Sequence, residues 1–171
     1  MALRELKSIV AFLLIFAGLQ WLYGLGRGTA VERLLIDMLT VRPSVALINL
    51  ITPGENVRAV GHSLVSPHAR LNVLNGCEGI ETFFLLLAAI LIHRTSWRHK
   101  LSGAVLGVVF VHGLNQARIV TLFYAFRYDK SLFSLLHGYM LPVVLILLTS
   151  LFFLAWAVAC KKASNGSTLH A

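Results

Sequence analysis

Four stretches of the chain are almost continuously apolar, and between the first two lies a segment, residues 27–76, in which apolar and polar positions are mixed. A hydrocarbon core about 30 Å thick takes about 20 helical residues to cross. That length test predicts spans at about residues 9–25, 77–93, 101–126 and 138–160. Within the intervening segment, Leu34, Leu35, Met38 and Leu39 fall at helical spacing, with Glu32, Arg33 and Asp37 between them. This predicts an amphipathic helix over residues 31–51, lying on the membrane surface and broken at Arg42-Pro43. Over residues 56–75 the pattern changes to short apolar runs, 57–60 and 71–74, separated by Gly61, Ser66 and Pro67. A β-hairpin or structured loop is expected there. The expected fold class is an all-α integral membrane protein with about four transmembrane helices, an external amphipathic helix and a short β-hairpin or loop before span two. Residues 1–162 form one membrane domain, followed by a polar tail, 163–171, expected to be disordered.

Composition agrees with this pattern. The chain is 57% hydrophobic and 13% charged, outside the range of an ordinary soluble domain. The first apolar stretch, preceded by Arg4 and Lys7, also invites a reading as a cleaved signal peptide. Its length exceeds the usual apolar region of such signals, and no A-x-A pattern follows it. A net charge of +8 in a soluble protein would point to nucleic acid, but in a membrane protein basic residues mark cytoplasmic flanks, so no nucleic-acid partner is expected. With the N-terminus inside, Arg4, Lys7, Arg94, Arg98, Lys100, Lys161 and Lys162 face the cytoplasm against Glu5 alone. The other side carries eight basic residues against six acidic ones and is nearly balanced. The expectation is a multi-pass protein of the cytoplasmic (inner) membrane with both termini cytoplasmic and the lipid bilayer as its surroundings.

Polar groups at bilayer depth are costly and mark sites by default. Three regions qualify: residues 75–81 at the mouth of span two, His112 with Asn115, Gln116 and Arg118 in span three, and His137-Gly138 at the mouth of span four. At 1.5 Å of rise per residue, Asn115 and Arg118 lie about 22 and 27 Å above Lys100, Cys77 about 26 Å above Arg94, and His137 about 36 Å above Lys161. All three regions reach the outer interface. Cys77 is the natural nucleophile, placed where a helix N-terminus and a neighbouring Arg or His favour the thiolate. His137 suits a general acid and base. Arg118 suits stabilisation of an oxyanion, or an ion pair with Glu78 or Glu81. Asn115, one turn before Arg118, supports the same face. His93, His99 and His112 read as structural.

Neither a cofactor nor a metal is expected, since His62, His68, Cys77 and His137 match no compact ligand spacing. Cys160 lies at the opposite end of its span from Cys77, which excludes a disulfide exchanger within one chain.

Three motifs, Cys77-Glu78-Gly79-Ile80, Asn115-Gln116-Ala117-Arg118-Ile119 and His137, follow one another in the order, and with spacing similar to that, seen in the exosortase and archaeosortase family of membrane cysteine transpeptidases. The resemblance covers roughly residues 71–148. It implies a thiol protease and transpeptidase that recognises the C-terminal tail of exported proteins, built of a short motif, a transmembrane helix and a basic cluster. Such an enzyme cleaves near the motif at the external, periplasmic face and passes the target to an acceptor nucleophile that the chain does not identify. By the same resemblance Cys77 forms the thioester, Arg118 assists at the transition state and His137 handles protons. Two departures stand out: many members have more spans, and the residue after the cysteine is often small or polar rather than Glu78, whose charge opposes thiolate formation unless paired. The alternative, from a different functional class, is a non-enzymatic membrane assembly or scaffold subunit whose buried polar residues fasten helices together.

Overall fold

Helices begin and end in the computed structural model largely where the apolar pattern begins and ends; it describes residues 2–74 and 76–167. The order is α1 (Ala2–Leu25), α2 (Ala30–Arg33), a π turn (Leu34–Val41), α3 (Arg42–Ile51), a short 3-10 turn (Pro53–Glu55), β1 (Arg58–Val60), β2 (Ser63–Val65), β3 (Arg70–Asn72), α4 (Ile80–Ile92), α5 (Trp97–Tyr128), α6 (Lys130–Leu135), a second π turn (Leu136–Met140) and α7 (Leu141–Ser167). The chain is 79% helical, an all-α membrane protein with one small sheet.

Among the described residues four helical runs are long and apolar enough to cross a membrane: Leu3–Leu25, Ala30–Ile51, Trp97–Tyr128 and Lys130–Ala163; Ile80–Ile92 is apolar but shorter. Length therefore picks out the run over 30–51, expected at the surface, and passes over α4, expected as span two. Packing distinguishes the two. Helix α4 lies among α1, α5 and α7, at the centre of the bundle. The Ala30–Ile51 run instead travels in the same direction as the second half of α5: the Ser44 hydroxyl donates to Gln116 Oε1 at 2.6 Å, and eight residues further along both helices Thr52 Oγ1 meets the Tyr124 hydroxyl at 2.7 Å. The run starts just after the end of α1 and lies alongside the second half of α5, pointing the same way. It caps one end of the bundle, called here the site end.

Pro43 was expected to break this helix, and it does not. Proline cannot donate to the carbonyl four residues back, here that of Leu39. Gln116 Nε2 donates to that carbonyl instead, at 3.1 Å. The widened π turn ahead of Pro43 is pinned by the Thr40 hydroxyl, which donates to Leu35 O at 2.8 Å. Pro142 follows the second π turn in the same way, which is where the chain carries His137.

The expected hairpin is a three-stranded antiparallel sheet in the order β1-β2-β3, with Ala59 opposite Leu64 and Leu64 opposite Leu71. Leu64 and Leu71 are buried and join Ile36, Val41, Ile48, Ile119, Leu122 and Phe123 in a core outside the helical bundle proper. A second core, Leu86, Ile90, Val111, Trp156 and Cys160, binds α4, α5 and α7. Gly103 makes this contact possible, since a Cβ there would lie 2.6 Å from the Trp156 indole. Along α1 and α7 large apolar side chains such as Leu14, Leu22, Leu147 and Leu151 remain exposed, as lipid-facing helices require.

Helix α5 is continuous through residues 117–126, so that piece is part of span three. At about 48 Å, 32 residues overrun the hydrocarbon, and the excess carries the site-end core. Helix α7 likewise continues to Ser167, so residues 163–167 of the expected disordered tail are helical; residues 168–171 lie outside the described residues. At the site end Arg127 pairs with Glu55, which is 3% exposed. Arg127→Leu leaves that carboxylate buried without a partner, and a loss of about 3–5 kcal/mol is expected. Thermal unfolding in detergent checks it: the single variant melts well below the wild type, and Glu55→Leu with Arg127→Leu recovers most of the difference.

Candidate active site

Cys77 sits in the loop between β3 and α4, not on the helix. The strand ends at Asn72, a turn closed by Cys77 N donating to Leu74 O at 3.0 Å follows, and α4 starts only at Ile80. Gly76 and Gly79 bracket the cysteine with positive φ, +92° and +78°, a conformation that L side chains rarely adopt. Gly79 is also where α5 comes closest: a Cβ there would lie 2.9 Å from Asn115 Cγ. The fully buried Asn115 uses this proximity, its Nδ2 donating to Cys77 O at 2.9 Å. One turn later the buried Arg118 extends Nη1 to 3.5 Å from Gly76 O. Two α5 side chains thus hold the backbone on either side of the nucleophile candidate.

His137 arrives from the second π turn. Its ring stacks on Phe133, 5.4 Å between centroids and 5° from parallel. Cys77 and His137 line one cavity of about 340 Å³, walled by Leu71, Val73, Ile119 and Leu122. The charge of Arg118 acts on both residues. Cys77 and His137 thus share a cavity, while Arg118 lies behind the loop, its contact there being the Gly76 carbonyl.

The supporting carboxylates differ from each other. Glu78 is buried, and its Oε1 accepts from the Tyr23 hydroxyl of α1 at 2.6 Å. Glu81, in the first turn of α4, is exposed. Among the described residues neither pairs with Arg118, so the structural ion pair considered for that arginine is not formed. Glu78 Oε2, Asn115 Oδ1 and Arg118 Nε are buried without a hydrogen-bond partner among the described residues. Such groups are expensive unless something binds them. Asn75 lies outside the described residues.

One expectation is reversed. Burial pushes the Cys77 thiol above its ordinary value; Arg118 opposes this, and Glu78 and Glu81 add to it. The cysteine is not on the helix N-terminus, half of it is out of water, and desolvation outweighs the guanidinium. Burial thus favours the neutral thiol over the thiolate. Alkylation of Cys77 is accordingly expected to climb with rising pH and to reach its plateau above the range of an ordinary thiol. Arg118→Gln, removing the charge that favours the thiolate, moves the curve further up. Iodoacetamide rates in a Cys160→Ser background measure this, and a plateau near neutral pH contradicts it.

Residue type and spacing singled out neither Tyr23 nor Phe133. The one available signal for Tyr23 was a hydroxyl near the end of an otherwise apolar span, at the level of the other polar groups. Cys160 is a free cysteine in the second core, far from the site, and among the described residues no three His, Cys, Asp or Glu side chains are grouped to hold a metal ion. No family model, curated protein or solved structure matches the chain.

Proposed function

We propose that this chain is a membrane-embedded, exosortase-like cysteine protease and transpeptidase that cleaves C-terminal sorting signals of exported proteins at the outer face of the cytoplasmic membrane. The observation that carries the reading is the single cavity shared by Cys77 and His137 under the charge of Arg118. Thiol, imidazole and guanidinium suit the roles of nucleophile, general acid and base, and oxyanion stabiliser in acyl transfer through a thioester.

His137 takes the proton from Cys77 Sγ as sulfur bonds to the scissile carbonyl carbon. The carbonyl oxygen becomes an oxyanion, which Arg118 stabilises. Collapse breaks the C–N bond, and His137 returns its proton to the leaving amine. The acyl group remains on Cys77 as a thioester until an acceptor nucleophile, deprotonated by His137, displaces the sulfur. A raised thiol value suits this sequence, because an unpaired thiolate in an apolar cavity would be costly and the base is at hand. Asn115 and Tyr23 act on position: the first fixes the Cys77 carbonyl, the second holds Glu78 in a hydrogen bond beside the nucleophile.

The charge distribution supports the orientation. The end opposite the site carries the basic surplus that favours the cytoplasm, which supports an external position for Cys77. A Cys160→Ser variant, with Cys77 as its sole thiol, tests this in intact or outer-membrane-permeabilised cells. Labelling by a membrane-impermeant maleimide is expected. Labelling by a permeant maleimide alone would place the cavity on the wrong face and end the proposal.

A further inference from the structure

We propose a second binding site, at the end of the bundle opposite Cys77, that holds the phosphate headgroup of an anionic phospholipid. A cavity of about 710 Å³ opens there between the α4–α5 connection and the last turns of α7. His93, Arg94, His99 and Lys161 line it on the polar side, Leu154 and Val158 on the apolar side.

Among the described residues no carboxylate lines this cavity. No Asp or Glu occurs between Glu81 and Asp129 or anywhere after Asp129, so the sequence from α4 through α7 offers the cluster no carboxylate at this end. Among the described residues Arg94, Arg98 and Lys161 form no ion pair, and Glu5, the one acid at this end, is an exposed residue of α1 that does not line the cavity. Like charges gathered around a cavity repel one another, and an anion relieves the repulsion.

The remaining features define which anion. His93 is held edge-on against Trp156 and Phe153, 5.4 and 5.8 Å between centroids, which fixes one wall. Ser96, at the N-cap of α5, engages the His99 ring at 2.8 Å and makes no side-chain bond to the helix amides, leaving them to a ligand oxygen. Leu154 and Val158 continue from the basic rim along the exposed apolar face of α7. A headgroup phosphate at the rim with an acyl chain along that face satisfies both halves; a free phosphate satisfies one. Basic pockets between spanning helices are a recurring solution for anionic lipids. This site does not depend on the chemistry assigned to Cys77.

Native mass spectrometry of the full chain in detergent tests it, with phosphatidylglycerol, phosphatidylcholine or inorganic phosphate added. Phosphatidylglycerol adducts are expected to exceed phosphatidylcholine adducts about tenfold at equal concentration. Arg94→Gln with Lys161→Gln should remove that preference, whereas Arg58→Gln with Arg70→Gln, at the site end, should leave it intact. Arg94→Lys with Lys161→Arg keeps both charges and should keep the preference, which covers the case of a misfolded glutamine variant. Equal retention of the two lipids overturns the proposal, as does equal loss in both glutamine variants or loss in the charge-conserving one. Complete displacement of phosphatidylglycerol by equimolar inorganic phosphate overturns the assignment to a lipid.

Discussion

Under the proposed thioester chemistry, Cys77→Ala is expected to reduce processing of a tail-bearing substrate by about a thousandfold or more, because covalent catalysis would disappear with its nucleophile and leave the remaining groups nothing to activate. The protein is expected to survive the change. Cys77 is half-buried in a turn, and the hydrogen bonds there run through its backbone, from Asn115 to its carbonyl and from its amide to Leu74. Alanine keeps all of them and removes one sulfur from the edge of the core around Leu71 and Ile119. The decisive comparison is therefore activity against fold in one sample, with the substrate followed by gel mobility and the enzyme by size exclusion in detergent. The scaffold reading makes the opposite prediction. There Cys77→Ala is nearly silent, and the buried polar residues of α5 carry the phenotype through assembly.

Arg118 ranks second in expected effect. Loss of a charged donor aimed at a developing oxyanion costs about a hundredfold to a thousandfold in turnover, and Arg118→Ala is expected in that range. Arg118→Lys retains the charge and loses the fork that reaches the Gly76 carbonyl, so it should recover part of the rate and little of the geometry. A purely structural role would be seen as lower thermal stability with an unchanged pH profile in the surviving fraction. The role argued here is seen in turnover, together with the upward shift of the Cys77 alkylation curve. Single-turnover rates and alkylation profiles of the same preparations separate the two.

The spans in α1, α5 and α7 were legible because an apolar run must match the thickness of the bilayer, whereas α4 falls short of that length and Ala30–Ile51 reaches it; depth counting put Cys77 and His137 at the same level, and they line one cavity. What the pattern did not show depends on contacts between distant residues. Pro43 looks like a helix end until Gln116, seventy-three positions later, is found on the carbonyl it leaves free. The middle strand, β2, is three residues long like β1 and β3, but it falls between Gly61 and Ser66, where the pattern reads as a turn, and it is held by pairing with both neighbours. The sign of the effect on Cys77 was misread for a related reason. Helix position and neighbouring charge can be counted along a chain, but burial of the thiol by Leu71, Ile119 and Leu122 is a property of the assembled cavity. Tyr23 escaped notice because its partner, Glu78, lies fifty-five residues away in the loop before α4.

The central claim is that an acyl group resides on Cys77. Incubating the purified protein with a peptide carrying the terminal tail of an exported host protein, then quenching in acid and measuring the intact mass, tests it most directly. The expected mass increase is that of the upstream fragment less one water, the acyl group replacing the thiol hydrogen. The adduct should map to Cys77, be released by neutral hydroxylamine, and be missing from Cys77→Ala. Cleavage of the peptide with no adduct on Cys77, or an adduct that persists in Cys77→Ala, contradicts it.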